Sequence, residues 1–106
     1  METHSITDAM QQNSAQAARF LKNISNEKRL LILCILHEKE LSVGQLNDML
    51  PNLSQSALSQ HLALLRKEGL VSTRRDSQTI FYRLSSKEVA EIIHLLHKLY
   101  CQEGCS

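Results

Sequence analysis

Apolar side chains recur at Ala9, Met10, Ala17, Phe20, Leu21 and Ile24, returning to one face of a helix while Gln11, Gln12, Gln16 and Lys22 lie off it. A first helix is expected over 8–24. Ser25 and Asn26 can each cap a second helix, which carries the unbroken apolar run 30–36 and ends in the polar stretch 37–40. A helix apolar nearly all round belongs at the centre of a fold. Ser42 followed three residues later by Gln45 has the form of a capping box, predicting a short third helix that stops before Pro51. Leu53 and Ser54 reopen the chain, and over 55–68 Ala57, Leu58, Leu62 and Leu65 share a face, with Gln60, His61 and Arg66 pointing elsewhere. Gly69 stands where a helix-ending glycine would.

Past Gly69 the period changes. Val71, Thr73 and Arg75, then Thr79, Phe81 and Arg83 alternating with Ile80, Tyr82 and Leu84, predict two strands turning around Asp76 and Ser77. Ser85 with Glu88 reads as another capping box, and Val89, Ile92, Ile93, Leu96 and Leu99 or Tyr100 form a strong stripe on a last helix over 86–101. The expected fold is mainly α with a small β-hairpin wing: a winged helix-turn-helix of five helices, the hairpin lying between the fourth and fifth. Residues 1–106 are expected to form a single domain with its head at 42–84.

Composition agrees with one domain. A chain of 106 residues, 42% hydrophobic and only 4% aromatic, suffices for one core built mainly from aliphatic helix packing. No apolar stretch reaches the roughly 20 residues that span a bilayer, and the start METHSITDAMQQNSAQ lacks the basic-then-apolar order of a signal peptide, so a soluble cytoplasmic protein without membrane contact is expected. In that reducing compartment Cys34, Cys101 and Cys105 read as buried thiols, metal ligands or redox groups rather than structural disulfides.

Charge adds a functional direction. The net charge is only +1, yet 53–84 holds Arg66, Lys67, Arg74, Arg75 and Arg83 against Glu68 and Asp76, leaving the remainder slightly acidic. One basic face on an acidic body is the footprint of phosphate binding. A helix, a tight turn, a second helix and a basic hairpin can place the second helix in the major groove and the hairpin on the flanking backbone. The exposed side chains at the start of that helix would then be Ser54, Gln55, Ser56, Ser59, Gln60 and His61, of which glutamine can pair with an adenine edge and serine with bases or phosphates. Arg74, Arg75, Gln78 and Thr79 on the hairpin would meet the backbone. Arg66 is a further candidate, although a late helical position favours positive charge anyway. Serine-rich helix starts are also ordinary caps. The chain lacks a nucleophile elbow, a phosphate loop and a paired acid-base set, so an enzyme is not expected. A protein-interaction module on the same fold remains the rival.

The run LSQSALSQHLALLRKEGLVSTRRDSQTIFYRLS resembles the recognition helix and wing of the ArsR/SmtB family of bacterial winged-helix regulators, and NEKRLLILCIL resembles that family's second helix. The resemblance extends from about Ala17 to Tyr100. It implies a homodimer built through the helices at 8–24 and 86–101, reading an inverted repeat in double-stranded DNA.

Many members of that family sense metals, and two of their ligand patterns can be sought here. A Cys-x-Cys pair before the recognition helix is absent, since Ser42 and Gly44 occupy its positions. Of a second pattern, His94 and His97 supply the later half, while Phe81 and Arg83 stand where the earlier half would be. A zinc or copper site is therefore at most half formed from that pattern, and no cofactor is expected. Cys34 within the apolar helix and Cys101 at the end of the last one are similar in placement to the sulfur- and redox-responsive branch of the family, as are ELSVGQL, SQSALSQHLALLR and LLHKLYCQ. That resemblance implies a thiol switch answering persulfide or oxidant. Within it, a thiol set among Leu and Ile is a poor nucleophile, so Cys101, near the chain end and one helical turn from His97, is the expected first attacker and Cys34 the resolving partner. On the residues alone, Cys34 reads equally well as a small buried apolar group, and Cys105 has no assigned role.

Overall fold

The computed structural model describes residues 2–100, with side chains from Asp8 onward. The elements run α1 (Glu2–Ile24), α2 (Glu27–Ile35), β1 (Leu41–Ser42), α3 (Val43–Met49), α4 (Gln55–Lys67), β2 (Val71–Asp76), β3 (Thr79–Leu84) and α5 (Lys87–Tyr100). The five helices and the hairpin stand in the expected order.

Each helix start has a local cause. Asn26 rather than Ser25 caps α2, its side chain accepting from the Arg29 N–H at 3.0 Å. Ser42 caps α3 in a complete box, its Oγ accepting from Gln45 N–H while Gln45 Oε1 accepts from Ser42 N–H. α4 opens on Ser54, whose Oγ accepts from Ala57 N–H. Its end is a Schellman turn: Gly69, at φ 78°, donates to Arg66 O, and Leu70 donates to Leu65 O. The cap of α5 falls one residue later than the capping-box reading placed it. Ser86 Oγ accepts from Val89 N–H, whereas Ser85 is drawn away by donating its N–H to Leu70 O and its hydroxyl to Gly69 O.

Two further differences concern elements that periodicity cannot resolve. Leu41–Ser42 is a third strand, pairing Leu41 with Tyr82 and Ser42 with Phe81, so the antiparallel sheet has the order β1-β3-β2. Two residues carry no period, and the extended backbone an N-cap requires is the same backbone a strand uses (Ser42 φ −79°, ψ 165°). α1 begins at Glu2 rather than near residue 8 and, at 23 residues, is about 35 Å long.

The core is aliphatic. Ile32, Leu33 and Leu36 of the α2 segment meet Leu58, Leu62 and Leu65 of α4, with Leu46 from α3, Leu70 and Val71 leading into β2, and Val89 and Ile93 from α5. α1 contributes Ile24, buried, and Phe20, partly so, while Asp8–Arg19 are all exposed. α2 is less enclosed than an all-apolar run implies, since Leu31 is 43% exposed. Leu95, Leu99 and Tyr100 on α5 and Met10 and Leu21 on α1 are also more than half exposed. No described helix is long and apolar enough to cross a membrane.

Candidate nucleic-acid interface

α4 turns Leu58, Leu62 and Leu65 inward, and this fixes what faces out. Gln55, Ser56, Ser59 and Gln60 lie on the exposed side, continued by Ala63, Arg66 and Lys67. Ser54 is exposed as well, its Oγ 3.4 Å from Ser56 Oγ while capping the helix. His61 separates from this row: it is half-buried, and burial together with the positive charge of Arg29 holds its pKa below the ordinary histidine value. The outer row is therefore a strip of amides and hydroxyls at the N-terminal end of a helix, with cations at the other end.

β2 and β3 carry the wing. Arg74, Arg75, Gln78 and Thr79 are all exposed, and Ser77, at φ 57°, takes the left-handed backbone that closes the two-residue turn. Alternation along β2 sends the two arginines to opposite faces. Arg74 lies 4.8 Å above the Phe81 ring and donates from Nε and Nη2 to Glu40, the shortest contact being 2.8 Å. These hydrogen bonds hold the Glu40 carboxyl below the usual carboxylate range and raise the Arg74 pKa. Among the described residues no carboxylate pairs with Arg75.

Tertiary pairs that spacing could not announce tie this head to the rest of the chain. Glu68, at the end of α4, accepts from Arg19 Nε and Nη2 at 2.7 Å each and from Asn23 Nδ2 at 3.1 Å, fastening α1 to α4. The Glu68 side chain is only 11% exposed. The Arg19 hydrogen bonds lower its pKa against the opposing effect of burial, so the stabilisation is complete above the ordinary carboxylate value near 4.5 and is lost as the pH falls through the lower folded-state value. Glu68→Gln is accordingly expected to lower the melting temperature at pH 7. The gap to the unaltered protein should close on acidification below about pH 4, as thermal unfolding followed across pH will show.

The second cluster of singled-out residues lies where α2 meets α5. Cys34 is half-buried and lines an open groove of about 610 Å³ with Leu30, Leu31, Ile35, Met49 and His97. Cys101 and Cys105 fall outside the described residues. His94 and His97 converge on a residue the sequence did not single out, His37, just past α2: His37 Nε2 lies 3.1 Å from His94 Nδ1, and the His97 ring stacks on the His37 ring at 5.1 Å. The connector from this corner is short. Glu40 reaches Arg74, and Leu41–Ser42 pair with β3.

Residues 26–73 match the family model of the bacterial regulatory proteins of the arsR family. The chain is 61% identical over 93 residues to the transcriptional activator HlyU of Vibrio cholerae, covering 88% of this chain and 85% of that protein. It is 36% identical over 100 residues to the biofilm growth-associated repressor of Xylella fastidiosa, covering 94% and 87%. The solved structure of reduced HlyU from Vibrio cholerae superposes with a TM-score of 0.83 at 61% identity, covering 89% of this chain and 98% of that one. The exposed helix row, the basic wing and these relatives have one reading: the chain belongs to the ArsR family and is a DNA-binding transcriptional regulator of winged helix-turn-helix type, not an enzyme.

Proposed function

We propose that the chain works as a homodimer on an inverted-repeat operator and releases it when Cys34 and Cys101 become linked. Gln55, Ser56, Ser59 and Gln60 read base edges in the major groove, Ser54 and the start of α4 meet a phosphate, and Arg75, Gln78 and Thr79 hold the flanking backbone. Arg74 reaches DNA only by exchanging Glu40 for a phosphate. The apolar side chains left exposed on α1 and α5 are the surfaces a second copy would cover, and two-fold symmetry would set the half-sites about one DNA turn apart.

The observation that carries the switch is the position of Cys34. It lines a groove whose far wall includes His97 of α5, and Cys101 follows His97 by four residues in the chain. One relative at 61% identity has been solved in a form described as reduced. With a persulfide as oxidant, the Cys101 thiolate takes its outer sulfur and releases the parent thiol. Cys34 then attacks the inner sulfur of the Cys101 persulfide, closing a disulfide and releasing hydrogen sulfide. Such a link draws α5 against the end of α2, from which the connector through Glu40 and β1 leads to the wing. Persulfide treatment of the purified protein followed by peptide mass spectrometry should reveal a Cys34–Cys101 disulfide, or the same pair with added sulfur. A treated protein whose Cys34 remains unlinked would overturn the switch.

A further inference from the structure

We propose that His37, Glu38 and His94 form a binding site within one protomer for a divalent ion of the zinc, cobalt and nickel class. The inference is independent of the thiol switch, because Cys34 contributes no donor to it.

Each of the three side chains offers one donor atom, and all three atoms lie within 4.8 Å of one another. His37 Nε2 stands 3.1 Å from His94 Nδ1 and 3.6 Å from Glu38 Oε2. Bonds of about 2.0–2.2 Å to a tetrahedral ion set its donor atoms roughly 3.3–3.6 Å apart, so two of the three separations are already close to those of an occupied site. The third closes by movement of Glu38, whose side chain is 78% exposed.

The surroundings orient the donors. His37 is the enclosed member, its side chain 11% exposed, and its ring is backed by His97, which stacks on it with 27° between planes. His97 is thus a supporting ring rather than a donor. Glu38 adopts φ 58°, a left-handed backbone that a side chain of its kind rarely takes, in the turn that brings its carboxylate toward the imidazole of the preceding residue. Both histidines can offer the facing lone pair by carrying their proton on the other ring nitrogen, so no net proton need be lost for two imidazoles and a carboxylate to ligate. The outer side of His94 is open to solvent, where water supplies the fourth position.

The donor set decides the class of ion. Two imidazoles and one carboxylate suit borderline metals, whereas calcium and magnesium want oxygen alone and copper(I) wants thiolate or thioether. The site also differs in plan from the paired pattern sought in the sequence, since its enclosed ligand comes from the turn just past α2 and lies 57 residues from His94.

Titrating the full-length reduced protein with cobalt(II) tests this. One equivalent per protomer is expected, with visible ligand-field bands, no thiolate charge-transfer band in the near ultraviolet, and displacement by zinc. His94→Ala and Glu38→Gln, both at exposed positions, should each weaken binding by at least the 10–100-fold that loss of an outer-shell partner already costs. Cys34→Ser and Cys101→Ser should leave it unchanged. Circular dichroism of each variant confirms the fold. Failure of the unaltered protein to take up a stoichiometric ion at micromolar concentration, a thiolate band lost with Cys34→Ser, or full binding by folded His94→Ala would each overturn the site.

Discussion

Gln60→Ala is expected to cost about 1–3 kcal/mol of operator affinity at each half-site, and about twice that for a symmetric dimer, while leaving non-specific DNA binding nearly unchanged. The size follows from geometry. Gln60 is on the exposed row of α4, one turn after Ser56 and immediately after Ser59, where a groove-bound helix presents side chains to base edges. Its amide is a donor and an acceptor on one rigid plane, able to satisfy both groups of an adenine edge, and alanine satisfies neither. Fold stability should barely move, because the side chain packs outside the core formed by Leu58, Leu62 and Leu65. Arg75→Ala supplies the contrast. A lost phosphate contact weakens binding to all sequences alike and lowers the salt dependence by about one counterion. Equilibrium binding to an operator selected from random DNA, and to unrelated DNA, over a range of salt separates the two patterns.

Much of this head was legible in the sequence because it depends on local rules. The Ser42–Gln45 box, the glycine ending α4 and the inward Leu58, Leu62 and Leu65 each follow from side chains within a few positions of one another. The chain departs from local rules where two of them compete or where none applies. Ser85 and Ser86 are both good caps, and the choice was made by Gly69 and Leu70, which engage Ser85 from 15 or more residues away. β1 is too short to have a period. At the site, the exposed row of α4 emerged from helical spacing alone, but the tethers did not. Arg19–Glu68, Glu40–Arg74 and His37–His94 join residues 49, 34 and 57 positions apart, and polar residues give no periodic sign of the partner they will meet. His37 and Glu40 lay within a polar stretch that reads as a plain connector until the fold brings α5 and the wing against it.

That connector gives the regulator its proposed logic. The reading row on α4 and the exposed Arg75 contain no thiol, while Cys34 lies at the other end of a segment that grips the wing through Glu40 and β1. α4 is also held from α1 through Glu68, so both proposed reading elements are tied by side-chain or strand contacts to other parts of the chain. Two arrangements of such a unit need differ in DNA affinity by only about 1–3 kcal/mol, or 5–150-fold, for effective control. One relative is an activator and another a repressor, so similarity alone does not fix the sign of regulation here.

The most direct test is the operator affinity of the reduced protein and of the persulfide-treated protein, measured side by side for the unaltered chain, Cys34→Ser and Cys101→Ser at one fixed salt concentration. The thiol switch requires that treatment weaken the unaltered protein by about 5–150-fold, that thiol reductant restore it, and that both serine variants bind DNA equally well before and after treatment. Serine variants that release DNA on treatment as the unaltered chain does would contradict it.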